Sequence, residues 1–258
     1  MEASPGPWIA ALRHSHDILQ GLVEPLEAEQ LEQPSYASGW SIAEVLSHIG
    51  SQSEIFELFL DAGLSGEDPP GSGAFAPIWE AWNARDPQSQ ATDALQADER
   101  VLRRFESLTP QEVGKLRLKA FGMELDATGL TRMRLGEHAL HTWDVAVVLD
   151  PSAEVAPDAV ALLVDSLSQL AERSGKYAGT KARVRVSTTR PERHFTLEIA
   201  DPVVLTTGDG EGGSARLSLP AEAFVRLVYG RLDASHTPLS IEAEGVALDD
   251  LRQVFQGF

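Results

Sequence analysis

The residues that could do chemistry cluster in one stretch, Leu130 to Val148, which contains Glu137, His138, His141 and Asp144. Read as a helix, it sets Leu130, Glu137, His141 and Val148 near one line, because residues four apart stack a turn above one another. Arg134 and Asp144 lie at the edges of that stripe. A carboxylate and an imidazole inside an apolar stripe are costly unless something pairs with them. A divalent metal would do so; so would a buried Glu–His hydrogen bond or salt bridge in a bundle core.

A third candidate lies far upstream. In Gly39-Trp40-Ser41-Ile42-Ala43-Glu44-Val45-Leu46-Ser47-His48, Ser41 followed by Glu44 fits a capping box that starts a helix. Val45, His48, Gln52, Ile55 and Phe59 recur on one face of that helix, and other apolar residues fill another side, so it should lie deep in a bundle with His48 buried. His48, Glu137 and His141 together make a three-ligand set of the kind that holds catalytic zinc with a fourth position open. Two His and one carboxylate also suit ferrous iron or nickel. His138, three residues before His141, competes with Glu137 for a place in the set. The order is not H-E-x-x-H, whose Glu is a general base. Here the Glu is itself a candidate ligand, which favours thiol activation or Lewis-acid chemistry over plain hydrolysis. The chain has no cysteine, so any reacting sulfur must arrive on a ligand.

The remaining elements must position this set. A first helix is expected from Trp8 to Leu26, with His14 and His16 on a solvated or half-buried face. Asp61 to Pro77 reads as a Gly/Pro-rich loop, and Ile78 to Arg85 as an aromatic segment able to line a cleft. A third helix follows from Thr92 to Leu108, with Pro110 to Asp126 as a connector. The helical domain is expected to span residues 1–152. In residues 153–258 the pattern changes to α+β: a helix from Asp158 to Arg173, strands at Ala182–Thr188, His194–Ile199, Ala215–Leu219 and Leu239–Ala243, and helices at Ala221–Val228 and Leu248–Phe255. The stretch Gly208-Asp209-Gly210-Glu211-Gly212-Gly213 lacks a GKS ending and carries two acids, so it reads as a turn and not a phosphate loop.

The formal net charge is −18, from 39 acidic and 21 basic side chains, with no Lys/Arg run. That argues against a nucleic-acid or anionic-membrane partner. No apolar run is long enough to span a membrane, and the acidic, proline-broken start does not read as a secretory signal, so the expected location is the cytoplasm.

Gly39-Trp40-Ser41 with His48, followed by Glu137-x3-His141-x-Trp143-Asp144, resembles the DinB-like metal-binding helical bundle and, more narrowly, the mycothiol-dependent maleylpyruvate isomerase family. The second half, with its helix followed by Tyr229-Gly230-Arg231, is similar to that family's small α/β, sterol-carrier-like domain. The resemblance implies a two-domain α+β chain with zinc held by His48, Glu137 and His141. It also implies an arginine reaching over the metal cleft, matched by Arg231, and a second one, matched by Arg85. Arg231 could instead cap its helix, and Arg85 could be a solvated surface residue. Asp144 would orient His141, or else pair with Arg134 or Arg132. Trp40 and Trp143 are expected to be packing residues. The implied chemistry uses mycothiol: its thiolate attacks a small, carboxylate-bearing electrophile held by Arg231 and Arg85, giving isomerisation if the thiol leaves again and S-transfer if it stays. The competing classes are a zinc-dependent hydrolase and a non-catalytic ligand-binding protein.

Overall fold

The computed structural model describes residues 4–177, 179, 181–208, 210, 212–213 and 215–257. Asp209 and Glu211 of the glycine-rich stretch lie outside the described residues. The chain forms two compact units, Met1–Glu154 and Val155–Phe258, and is mixed α+β.

The first unit is a four-helix bundle built from α1 (Gly6–Val23), α2 (Ile42–Ser65), α3 (Pro87–Glu106) and α4 (Ala127–Leu149). Helix α1 packs on α3 and α4, and α2 packs on the same two, so α1 and α2 sit diagonally across the bundle although they follow one another in the chain. Each start has a local cause. Ser41 Oγ accepts from Glu44 N, and Glu44 Oε2 accepts from Ser41 N at 2.7 Å, the reciprocal cap expected at α2. Asp86 with Pro87 opens α3 five residues earlier than expected, its Oδ1 accepting from Ser89 N at 3.0 Å. Asp126 Oδ1 accepts from Gly129 N at 2.7 Å and starts α4. Helix α2 runs on to Ser65 and stops at Gly66, whose φ of +80° supplies the left-handed cap. The expected loop from Asp61 is correspondingly shorter, and Phe75 within it is buried.

The aromatic segment is a helix, Ala76–Asn83, that docks on α2. Trp82 is buried and does not line a cleft: its ring lies where a Cβ on Gly50 would be, 2.2 Å from two ring carbons, and its Nε1 donates to Glu54 Oε1 at 2.9 Å. The core around it takes Leu19, Leu46, Ile49, Ala94 and Val145 from the four bundle helices. The expected connector instead contains a helix, Pro110–Lys115, and a hairpin of β1 (Arg117–Ala120) and β2 (Met123–Asp126). Phe121 and Gly122, at φ +52° and +75°, form the tight turn between these strands.

The second unit holds a five-stranded sheet of β3 (Ala182–Thr189), β4 (Arg193–Ile199), β5 (Val204–Thr207), β6 (Ala215–Pro220) and β7 (Glu242–Glu244), in the order β5-β4-β3-β6-β7. Only β3 and β6 are parallel. Strand alternation buries Val184, Val186, Leu217 and Leu219, and leaves Arg185, Ser187, Arg216 and Ser218 on the opposite face. Helix α5 (Pro157–Leu163) is separated by a 3-10 turn from α6 (Leu167–Ser174), where one helix was expected. Helices α7 (Ala221–Val228) and α8 (Leu248–Val254) complete the unit. The last strand is shorter than expected: Leu239 is fully exposed, and the backbone turns at Pro238, whose carbonyl accepts from Ile241 N. Among the described residues no helix is long and apolar enough to cross a membrane.

Candidate metal centre

Helix α4 is buried nearly all round, so both of its polar faces must find partners inside the bundle. One face brings Glu137 and His141 to His48 of α2. One donor atom from each of the three lies within 4.8 Å of the other two. His48 Nε2 is 3.5 Å from Glu137 Oε2, and His141 Nε2 is 3.8 Å from the same oxygen. Charge-assisted hydrogen bonds run at about 2.7–2.9 Å, so His48 and Glu137 meet at the outer limit of a hydrogen bond and His141 reaches the carboxylate at ion-pair distance. Two ligands bound at about 2.1 Å to one tetrahedral ion stand about 3.4 Å apart, close to what is found here.

The surroundings also suit an ion. Asp144, fully buried, accepts the Nδ1–H of His141 through Oδ2 at 2.8 Å. That bond selects the tautomer whose Nε2 lone pair faces Glu137, the usual device for orienting a ligating imidazole. Arg134, one of the two arginines considered as partners for Asp144, is instead bonded to Asp98. His48 and Glu137 are half-buried and not sealed in, their side chains 22% and 35% exposed, which leaves the set a side open to solvent. Trp40 packs, 37% exposed, against both imidazoles, its ring centroid 5.2 Å from that of His48 and 6.1 Å from that of His141. Trp143 packs as well, buried, with Nε1 donating to the Ala153 carbonyl at 2.8 Å.

The other polar face of α4 carries Arg134 and His138, and reading the sequence missed what they do. Asp98 of α3 accepts from Arg134 Nη2 at 2.6 Å, from His138 Nε2 at 2.8 Å and from His16 Nδ1 of α1 at 2.7 Å. Arg134 Nη2 also donates to Ser53 Oγ of α2, so this network joins all four helices. His16 is therefore buried, not solvated, while His14 is exposed. Burial alone would push the Asp98 carboxyl up; His138, Arg134 and the hydrogen bonds from His138 and His16 outweigh it and hold it well below the ordinary carboxylate range. Burial pulls His138 down against the opposite pull of Asp98. His16, Asp98 and His138 have the composition of a metal set, but the Arg134 guanidinium already supplies the positive charge there. His138 is thus occupied on another face of the helix, turned about 100° from Glu137.

The two arginines lie as follows. Arg85 stacks 3.6 Å over the Trp82 ring and stands 3.4 Å from Asp93 Oδ2. Arg231 follows α7, with Nη1 donating to the Tyr229 carbonyl at 3.0 Å. Its segment is held by the buried Arg226, which forks onto Glu222 and donates from Nη1 to the carbonyls of Arg231 and His236. The Glu222–Arg226 spacing of four inside an apolar helix was the available signal for that pair.

A four-helix bundle with a two-His, one-carboxylate set, joined in one chain to a mixed-sheet unit, defines the class. Residues 12–146 match the mycothiol maleylpyruvate isomerase N-terminal domain, and the chain belongs to that family. The crystal structure of the mycothiol-dependent maleylpyruvate isomerase superposes with a TM-score of 0.68 over 94% of each chain, at 11% identity, a likeness of fold. An uncharacterized protein of Mycobacterium tuberculosis (strain CDC 1551 / Oshkosh) is 29% identical over 235 residues, 89% of this chain and 87% of the relative.

Proposed function

We propose that this protein is a metal-dependent enzyme that uses a low-molecular-weight thiol, mycothiol, for isomerisation or S-transfer on a small carboxylate-bearing electrophile. The observation that carries the reading is the convergence of one donor atom each from His48, Glu137 and His141 within 4.8 Å of one another, at spacings a shared ion accepts. Family membership and the absence of any cysteine support a thiol that arrives as a cosubstrate. In this reading His48 Nε2, His141 Nε2 and a Glu137 oxygen hold the ion, and zinc is the ion we assign. When bound, zinc supplies Lewis acidity that favours the thiolate form of a thiol at its open position.

The chain's own residues do the rest. Asp144 holds the proton on His141 Nδ1 and keeps Nε2 free to ligate. Trp40 shields one side of the imidazole pair from water and offers a ring face to the incoming thiol. Arg231 and Arg85 are assigned to carboxylates, for which a guanidinium fork is suited; stacking on Trp82 already fixes the plane of Arg85. The domain built on residues 153–258 is assigned a share in the substrate cleft through Arg231, and the protein is assigned to the cytoplasm.

The test is mycothiol-dependent turnover of maleylpyruvate by zinc-loaded protein, with Arg231→Ala in parallel. The reading expects turnover that stops on chelation, and an Arg231→Ala variant that keeps its metal but turns over at least tenfold more slowly. Unchanged kinetics in Arg231→Ala would remove that residue from the site. Metal-loaded protein that binds no mycothiol would remove the thiol.

A further inference from the structure

The open face of the second unit's sheet carries a feature that the proposed reaction does not use. Arg185 of β3 and Arg216 of β6 are direct partners in the parallel register, with Ser187 and Ser218 the next partners on the same face. They line a depression of about 480 Å³ that His194 of β4 closes on one side. Neighbouring strands lie about 4.8 Å apart, so two guanidinium groups leave the same face side by side. Like charges placed opposite one another destabilise a sheet unless something neutralises them.

Acids flank these arginines without pairing to them among the described residues. Arg183, two residues earlier on the same face, pairs with Glu198 at 3.5 Å. Glu244 stands opposite Arg216, and Glu242 opposite Ser218, across β6 and β7. Among the described residues, neither Arg185 nor Arg216 takes part in an ion pair or a side-chain hydrogen bond. Two adjacent arginines beside two hydroxyls, without an ion pair among the described residues, present donors that suit an anion.

We propose that this face binds a dianionic oxyanion, a phosphoryl group in class, through the forks of Arg185 and Arg216 and the hydroxyls of Ser187 and Ser218. A tetrahedral dianion matches both charges and offers enough acceptor oxygens for two forks and two hydroxyl donors.

The experiment titrates inorganic phosphate into the full-length protein and follows backbone and arginine Nε–H resonances, with sodium chloride at matched ionic strength as control. The expected result is saturable shifts confined to Arg185, Arg216 and the serines between them, weakened at least tenfold in Arg185→Gln and Arg216→Gln. Arg183→Gln should bind as the parent does, and Arg216→Lys, which keeps the charge but loses the fork, should fall between. Without phosphate, Arg216→Gln should melt no lower than the parent, and phosphate should raise the melting temperature of the parent alone. Shifts reproduced by chloride, or phosphate binding that survives both glutamine variants, would overturn the proposal.

Discussion

Replacing Asp144 by Asn tests whether the buried carboxylate orients a metal ligand or only fills space. Asp144 Oδ2 lies 2.8 Å from His141 Nδ1, a charge-assisted distance, and the carboxylate is fully buried, so water cannot take over the contact. The asparagine is nearly isosteric. With its oxygen toward the ring it keeps the tautomer but loses the charge; with its NH2 group toward the ring it moves the imidazole proton to Nε2 and blocks ligation. Hydrogen bonds to charged groups contribute about 1.5–3 kcal/mol, and loss of such partners weakens metal binding about 10- to 100-fold, equivalent to about 1.4–2.8 kcal/mol. Zinc affinity measured by competition with a chromophoric chelator should therefore fall at least tenfold, with the near-ultraviolet circular dichroism of the tryptophans unchanged. An affinity within twofold of the parent would refute the orienting role.

Asp98→Ala should destabilise the bundle by about 3–5 kcal/mol in urea unfolding, because it strands the buried Arg134 charge; a loss below 1 kcal/mol would show that the network is dispensable. Since the folded Asp98 carboxyl is held below its ordinary value, its contribution is complete above the unfolded value of about pH 3.9 and is lost as pH falls below it toward the folded value. Asp98→Asn should accordingly flatten the acid limb of the stability curve, and an unchanged limb would contradict the assignment. Gly50→Ala should cost about 1–3 kcal/mol or more, as a methyl there meets the Trp82 ring at 2.2 Å; equal stability would mean that Trp82 repacks freely. Cobalt binding should quench tryptophan fluorescence mainly through Trp40, so Trp40→Phe should remove most of the quenching; full quenching in that variant would place the ion elsewhere.

That His48, Glu137 and His141 converge was legible because a four-residue spacing on one helix fixes two donors, and the capping box before His48 fixed the start of the second helix. The Asp98 network was not legible. Its five side chains come from helices brought together only by tertiary packing, and Asp98 lies in a helix whose sequence reads as polar. That Trp40 packs on the two imidazoles was not legible, because it precedes the first turn of α2, where periodicity says nothing about which way a ring turns. The β1–β2 hairpin escaped because its strands are four residues long and the Phe121-Gly122 turn lacks the usual Asn or Asp. In the second unit, alternation identified β3, β4 and β6; the strand expected at Leu239–Ala243 lies at Glu242–Glu244, and β5, four residues long, is too short to display a period of two.

The most direct test of the account is the metal content of protein purified without chelators, measured by elemental analysis beside His48→Ala. About one divalent ion per chain in the parent, lost in a His48→Ala variant that still folds, is the predicted result. A parent that takes up no ion on adding zinc, or a variant as fully loaded as the parent, would contradict it and leave His48, Glu137 and His141 as packing.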